Sequence, residues 1–109
     1  MLNIKDFQKQ IHNNAKEHGW YEKEKNFGDL ISLCHSELSE AYEEYRNGRK
    51  FNETYYNGEK PEGIPSELAD VIIRILDMCE YYEIDMENML REKHEYNKSR
   101  PYKHGGKLV

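Results

Sequence analysis

The pattern of hydrophobic and polar positions predicts helices along most of the chain, and alternating strand patterns are almost absent. The clearest helix runs from Phe27 to about Asn47, because its apolar residues recur at steps of four and three. Those residues are Phe27, Ile31, Cys34, Leu38, Ala41 and Tyr45. A stripe with this period is typical of an amphipathic helix that buries one face.

Two further helices follow from the same reasoning. Asn3 is predicted to cap a first helix that closes near Gly19, and Pro65 with Ser66 to open a third. The apolar side of the first helix consists of Ile4, Phe7, Ile11 and Ala15. The third helix is apolar around most of its circumference, which predicts a place in the middle of a bundle or at a subunit interface.

The last helix and the connections complete the predicted organisation. Asp85 caps a fourth helix that runs to about Lys98. The segment 48–64 is predicted to be an irregular loop because it carries three glycines and a proline, and residues 99–109 form a basic tail. These elements predict one domain over residues 1–109, an all-α four-helix bundle.

An acidic strip interrupts the apolar surface of the third helix. At 100° per residue, four charged positions fall within a band roughly 80° wide. They are Glu67, Asp70, Arg74 and Asp77. Charges taken out of water cost several kcal/mol unless they are paired or bound to a metal, so the strip calls for a partner. Asp77 is interpreted as a structural partner for Arg74, with support of a metal site as the alternative.

Two short acidic motifs carry the strongest chemical signal. Glu37 and Glu40 lie three apart on the second helix, Glu67 and Asp70 three apart on the third, with 26 residues between the motifs. On antiparallel neighbouring helices the four carboxylates would converge, and each pair at about 5 Å would repel by roughly 3 kcal/mol at an effective dielectric of about 20. A hard divalent cation would relieve this repulsion, which predicts a site for Mg²⁺ that Mn²⁺ could also fill.

Charge is unevenly distributed along the chain. The net charge is −5, but residues 1–90 are strongly acidic, whereas residues 91–109 hold six Lys and Arg against two Glu. An acidic body argues against general nucleic-acid binding, which needs a broad basic face. The distribution favours a small anionic ligand held between a metal and the basic tail. A chain this short buries only about 65% of its unfolded surface, so oligomerisation is expected to complete the core.

Candidate ligand-binding residues lie at the two ends of the chain. Lys93, Asn97 and Arg100 share one face at the end of the fourth helix, where they could contact phosphate oxygens, and Lys103 could add a donor. The alternative is a basic helix end that complements the helix dipole. Trp20 could stack on a base, although aromatic residues more often belong to a core.

The remaining composition indicates the cellular setting. Cys34 and Cys79 are too few and too poorly spaced for a zinc site or a disulfide framework, so buried reduced thiols are expected. No apolar run approaches the length of a membrane span, and no signal peptide is recognisable, so no membrane partner is expected. A cytoplasmic location is the resulting expectation.

The two acidic motifs and their surroundings resemble a known family. The segments 36–41, SELSEA, and 67–74, ELADVIIR, are similar to those of the MazG-like, all-α nucleoside triphosphate pyrophosphohydrolases, and the spacing of 26 residues fits. The resemblance spans roughly residues 27–107. One departure is Ser36, where many MazG-like proteins carry another Glu.

The resemblance implies a function and an assembly. Glu37, Glu40, Glu67 and Asp70 would bind Mg²⁺ and serve catalysis, with Glu37 or Glu40 as the alternative acceptor of the water's proton. The implied reaction splits a nucleoside triphosphate, such as a dNTP or a modified NTP, into a monophosphate and pyrophosphate. The implied assembly is a homodimer or homotetramer.

Two alternatives remain open from the sequence. One is a non-catalytic helical module that oligomerises or regulates and binds a divalent cation or nucleotide. The other keeps the hydrolysis but changes the substrate to a phosphoribosyl-nucleotide.

Overall fold

A computed structural model describes residues 3–101 and is mostly helical, as the sequence predicts. Four helices and one small antiparallel hairpin follow one another along the chain. They are α1 (Ile4–Glu17), α2 (Phe27–Arg46), β1 (Tyr55–Asn57), β2 (Lys60–Glu62), α3 (Ile64–Tyr81) and α4 (Met86–Lys98).

Side-chain caps fix where three of the helices begin. Asn3 accepts a hydrogen bond from the backbone N–H of Asp6 at 2.8 Å, and Asp85 accepts one from Asn88 at 3.1 Å. Both caps were predicted from the sequence. Asn26 caps α2 by accepting from the backbone N–H of Gly28 at 2.8 Å, which satisfies one of the amides that a helix N-terminus leaves unpaired.

The predicted irregular loop at 48–64 is wrong in one respect, because it contains the hairpin of β1 and β2. Asn57 pairs with Lys60 across a two-residue turn, and Gly58 at its first central position has a φ of 66°. Glycine adopts this left-handed conformation without steric cost, so it supports a tight hairpin turn. The strands are only three residues long and largely exposed, so they lack the alternating pattern that marks longer strands.

Gly63 joins the hairpin to α3 at a point of close backbone approach. Its φ is 121°, and a Cβ at this position would lie 2.5 Å from the backbone oxygen of Glu53. Its own carbonyl accepts from the backbone N–H of Glu67 at 3.0 Å, within the first turn of α3. A residue with a side chain would therefore displace the start of this helix.

The core lies where α3 packs against α2 and α1. Its most extensive contact is with α2, and the next is with α1. The buried apolar side chains are Ile11, Leu30, Cys34, Ala41, Ile64, Val71, Leu76, Met78 and Cys79. Both cysteines are free thiols, as expected, and burial raises the pKa of each.

Large apolar side chains also remain on the outside. Leu38, Tyr42 and Tyr45 follow one stripe on α2, and Leu68 and Ile72 follow one on α3, with Ile72 55% exposed. The helix α4 contacts α1 and buries none of its own residues. Within residues 3–101, no helix is both long and apolar enough to span a bilayer.

A buried polar network connects α1 to the end of α3. The Nδ1 atom of His12 lies 2.8 Å from Asp77 Oδ1, and the hydroxyl of Tyr21 donates to Asp77 Oδ2 at 2.7 Å. Burial, followed by the bond to Asp77, raises the pKa of Tyr21 far above its usual range, which keeps the phenol a donor. Asp77 thus has a structural role, as interpreted, but its partners are His12 and Tyr21 rather than Arg74.

The network predicts a measurable loss of stability when Asp77 is replaced by Asn. The substitution keeps the shape but replaces one of the two acceptor oxygens with an amide donor, so either His12 or Tyr21 loses its acceptor. We expect the free energy of unfolding to fall by about 2 kcal/mol, measured by urea denaturation.

Two tyrosine variants test the same assignment. Tyr21→Phe removes one hydrogen bond and should cost about 1 kcal/mol, whereas Tyr96→Phe on the exposed surface of α4 should change stability by less than about 0.5 kcal/mol. Equal losses in Tyr21→Phe and Tyr96→Phe would contradict the network.

Candidate metal centre

Three carboxylates meet at the contact between α2 and α3. One oxygen each of Glu37, Glu67 and Asp70 lies within 4.8 Å of the other two. Both motifs predicted from the sequence contribute, because α2 and α3 place their acidic faces against each other. Glu40 is not among these three residues, but it borders Glu67.

Two carboxylate oxygens of the same three residues are buried without a hydrogen-bond donor among residues 3–101. Glu37 is only 9% exposed, and its Oε2 atom has no partner among the described residues; the same is true of Glu67 Oε2. A buried acceptor without a donor costs about 1–3 kcal/mol, more when it is charged. The described residues therefore compensate the negative charge of these carboxylates only in part.

The protonation of Glu67 reflects this crowding. Burial is the main cause that raises the pKa of Glu67 to about 7, and the neighbouring carboxylates of Glu40, Asp70 and Glu37 raise it further. A proton shared with Glu40 would supply the donor that Glu67 Oε2 lacks when both groups are ionised. Without a cation, the site is relieved by binding a proton near neutral pH.

The pKa of Asp70 is raised by the same surroundings, but nearby cations offset part of the effect. Burial and the negative charge of Glu37 raise its pKa, while the positive charges of Arg74 and Lys60 lower it. Lys60 belongs to β2 and is mostly exposed, with its Nζ 3.5 Å from Glu62. The hairpin therefore brings a cation towards the acidic cluster.

Arg74 is the cation that directly contacts the cluster. Its Nε donates to Glu37 Oε1 at 2.7 Å, across the seam between α3 and α2. Its guanidinium carbon lies 5.2 Å from the centroid of the Trp20 ring. One oxygen of Glu37 is thus engaged by Arg74, while the other, Oε2, has no hydrogen-bond partner in the described part of the chain.

A cavity of about 550 Å³ opens beside the cluster. Its lining combines apolar side chains with amides, a histidine and charged groups. The lining residues are Phe7, Gln10, Ile11, Asn14, Ala15, His18, Trp20, Glu37, Asp70, Ile73, Arg74 and Asp77. The volume lies within the range of small-molecule sites in proteins, and a ligand bound there would reach the carboxylates.

Trp20, predicted as a possible stacking partner for a base, lies in the wall of this cavity. Its ring already carries two cations, because Lys25 Nζ lies 4.4 Å from the ring centroid and Arg74 is the second. A base that stacked on Trp20 would compete with at least one of them.

The donor set fits a hard divalent cation. All three groups offer carboxylate oxygens, which Mg²⁺ and Mn²⁺ prefer, and the two unpartnered buried oxygens are available as ligands. Glu37, Glu67 and Asp70 would hold the ion, with Glu40 adjacent to it.

The predicted binding residues of α4 are placed apart from this centre. Lys93 and Asn97 lie on α4, but the helix ends at Lys98, so Arg100 lies beyond the helix face on which it was predicted. All three are exposed, and none lines the cavity in the described part of the chain. Lys93 Nζ and Arg100 Cζ instead lie 5.6 and 5.8 Å from the ring centroid of Tyr96. Lys103 lies outside the described residues.

Sequence reasoning missed the roles of Arg74 and Lys60 at this site. Arg74 shares the acidic strip of α3 and stands one helical turn after Asp70, which is a local signal for proximity. Its partner Glu37 is 37 residues away, and no local pattern marks that pairing. Lys60 approaches through the hairpin that the sequence pattern did not indicate.

The raised pKa of Glu67 predicts a pH-dependent stability in the metal-free protein. Its unfolded value is near 4.5 and its folded value about 7, so the folded state binds the proton more tightly. The resulting stabilisation is full below pH 4.5 and is lost as the pH rises through about 7. In EDTA, wild type should therefore lose free energy of unfolding between pH 5 and pH 8, whereas Glu67→Gln should not. The difference between the two proteins should grow by roughly 1 kcal/mol over this range, a modest value because water partly screens the repulsion.

Urea denaturation at both pH values measures this difference. Glu43→Gln is the matched control, because Glu43 is exposed on α2 and pairs only with Arg46 at 3.2 Å in the described structure. The free energy of unfolding of Glu43→Gln should change with pH as that of wild type does. A Glu67→Gln profile that also parallels wild type would refute the assignment.

Known proteins do not identify the centre. Comparison of this chain with protein-family models, curated proteins and solved structures found no match. The similarity to MazG-like proteins therefore remains a prediction from two acidic motifs, and the case for function depends on the carboxylate cluster, its cavity and Arg74.

Proposed function

We propose that the chain is a Mg²⁺-dependent nucleoside triphosphate pyrophosphohydrolase. The observation that carries the proposal is the meeting of Glu37, Glu67 and Asp70 within 4.8 Å, beside a cavity of about 550 Å³. Two buried oxygens of this group have no donor among the residues that the structure describes. A cation held there would face both the carboxylates and whatever occupies the cavity. This agrees with the MazG-like resemblance of the two motifs.

The chemistry follows from the charges around the site. When bound, Mg²⁺ neutralises phosphate charge and activates a water molecule. The water attacks the α-phosphorus, the bond to the pyrophosphate oxygen breaks, and a nucleoside monophosphate and pyrophosphate leave. Glu40 is the better placed acceptor for the water's proton, because Glu37 is engaged by Arg74 and Glu40 borders the cluster without belonging to it.

The cavity supports a nucleotide rather than a bare phosphate as the ligand. Phe7, Ile11 and Ile73 offer apolar surface, whereas Gln10 and Asn14 offer amides that can donate and accept. A base or sugar could use both kinds of contact while the phosphates approach the carboxylates. The alternative, a non-catalytic module, would use the same cluster to bind a cation without turnover.

The reaction is tested by pyrophosphate release from a panel of canonical and modified NTPs and dNTPs, with Mg²⁺ and with EDTA. Wild type should release pyrophosphate from some members only when Mg²⁺ is present. Glu67→Gln and Asp70→Asn should each lower turnover by about 100-fold or more, the scale seen when an electrostatic contact to a transition state is lost.

Glu43→Gln again serves as the matched control and should retain wild-type turnover. Silence of the folded wild type across the panel, with Mn²⁺ still bound, would favour the non-catalytic module. Activity confined to phosphoribosyl-nucleotides would favour the alternative substrate.

The proposed functional form is a homo-oligomeric four-helix bundle. The apolar stripes Leu38, Tyr42 and Tyr45 on α2 and Leu68 and Ile72 on α3 are exposed in the single chain, and α4 buries no residue. Apolar stripes of this kind on neighbouring helices are typical of surfaces that a second copy covers. The second copy could also bring Lys93 and Asn97 of α4, and Arg100 just beyond its end, closer to the cavity of its partner.

Light scattering after size-exclusion chromatography tests the assembly. The mass should be at least twice the 13.1 kDa of the chain. Ile72→Glu should shift it towards the monomer, because a charge buried in an interface costs several kcal/mol. Asn13→Glu, on the exposed side of α1, should leave the mass unchanged. A monomeric wild type would refute the proposed assembly.

A further inference from the structure

Arg74 has binding capacity that its contact with Glu37 does not use. A guanidinium carries five N–H donors, and Glu37 engages the one on Nε. Among residues 3–101, no side chain or backbone group accepts a hydrogen bond from Nη1 or Nη2. The side chain is 30% exposed and lines the 550 Å³ cavity.

The surroundings hold this cation in place from two sides. Glu37 of α2 fixes the Nε edge, and the Trp20 ring lies 5.2 Å from the guanidinium carbon. Lys25 adds a second positive charge on the same ring, at 4.4 Å. The group is therefore oriented before any ligand arrives, which lowers the entropic cost of binding.

We infer that Arg74 is an anion-binding residue of the cavity, whose free Nη groups donate hydrogen bonds to phosphate oxygens of a polyphosphate chain that also reaches the carboxylate-held cation. The inference rests on the proposed function for the identity of the ligand. A planar guanidinium can donate two parallel hydrogen bonds to a phosphate, and such charge-assisted pairs are among the strongest in proteins. The same cavity wall carries Asp70, so an anion would bind there only with both Arg74 and a metal ion to offset that negative charge.

The competing explanation is that Arg74 only neutralises and positions Glu37. The two roles differ in their effect on the metal ion alone. If Arg74 binds the anion, its removal takes a positive charge away from the cluster, so Mn²⁺ should bind at least as tightly as before. If Arg74 mainly positions Glu37, its removal should weaken Mn²⁺ binding.

The experiment compares the wild-type 109-residue chain with Arg74→Gln, Arg74→Lys and Arg46→Gln. Arg46 is the control because it is an exposed cation on α2, paired with Glu43 at 3.2 Å, away from the cavity. Mn²⁺ alone is titrated by electron paramagnetic resonance, and magnesium tripolyphosphate is titrated by calorimetry. Neither measurement depends on turnover.

The expected result is a loss of affinity for the anion without a loss of affinity for the metal ion. Arg74→Gln should bind tripolyphosphate about tenfold or more weakly, as expected when a charged hydrogen bond is removed, and bind Mn²⁺ no more weakly than wild type. The tripolyphosphate affinity of Arg74→Lys should lie between those of wild type and Arg74→Gln. A lysine keeps the positive charge but cannot donate two parallel hydrogen bonds to one phosphate. Arg46→Gln should match wild type within about twofold for both probes.

Three outcomes would overturn the inference. They are unchanged tripolyphosphate binding in Arg74→Gln, loss of Mn²⁺ binding in the same variant, and no tripolyphosphate binding to wild type. Should Arg74→Gln fail to fold by circular dichroism, Arg74→Lys carries the test, and wild-type affinity in that variant would count against the inference.

Failure of the proposed function gives a different signature. If Mn²⁺ and tripolyphosphate bind as expected and depend on Arg74, yet no nucleotide yields pyrophosphate, the anion site stands and the hydrolase assignment falls.

Discussion

The rest of the structure depends on the contact between α2 and α3, where apolar packing is opposed by repulsion between carboxylates. It is the most extensive helix contact in the fold, yet it brings three carboxylates within 4.8 Å of one another. Buried apolar neighbours such as Cys34, Ala41 and Val71 hold the helices together, and Arg74 crosses the seam to offset one charge. The remaining negative charge needs a proton or a cation, so the packing of the core and the chemistry of the site cannot be separated.

The charged residues of the acidic strip have different roles at different positions along α3. Its first turns present Glu67 and Asp70 to the carboxylate cluster, and Arg74 follows at the wall of the cavity. Asp77, at the far end, is occupied by His12 and Tyr21 and secures α1 against α3. Since α1 also forms much of the cavity wall, this polar anchor supports the shape of the site as well as the fold.

The sequence predicted those features that depend on local spacing. The four helices follow from apolar periodicity and from caps at Asn3 and Asp85, and the convergence of Glu37, Glu67 and Asp70 follows from two motifs on neighbouring helices. The partners of Arg74 and Asp77 did not follow, because Asp77 pairs with residues 56 and 65 positions away and Arg74 with one 37 away. Such distances are set by tertiary packing, which periodicity does not encode. The predicted binding residues Lys93 and Asn97 of α4 are a further case, since the structure places their exposed side chains outside the cavity lining.

Gly63 has a consequence for how this chain tolerates change. It has no functional group, but its φ of 121° and its contact with the backbone of Glu53 leave no room for a Cβ. Its carbonyl also anchors the amide of Glu67. A saturation-mutagenesis map would therefore record Gly63 among the positions that admit no replacement, alongside residues that bear charge. An intolerant glycine four residues before a carboxylate would look like a chemical participant, although its contribution is purely geometric.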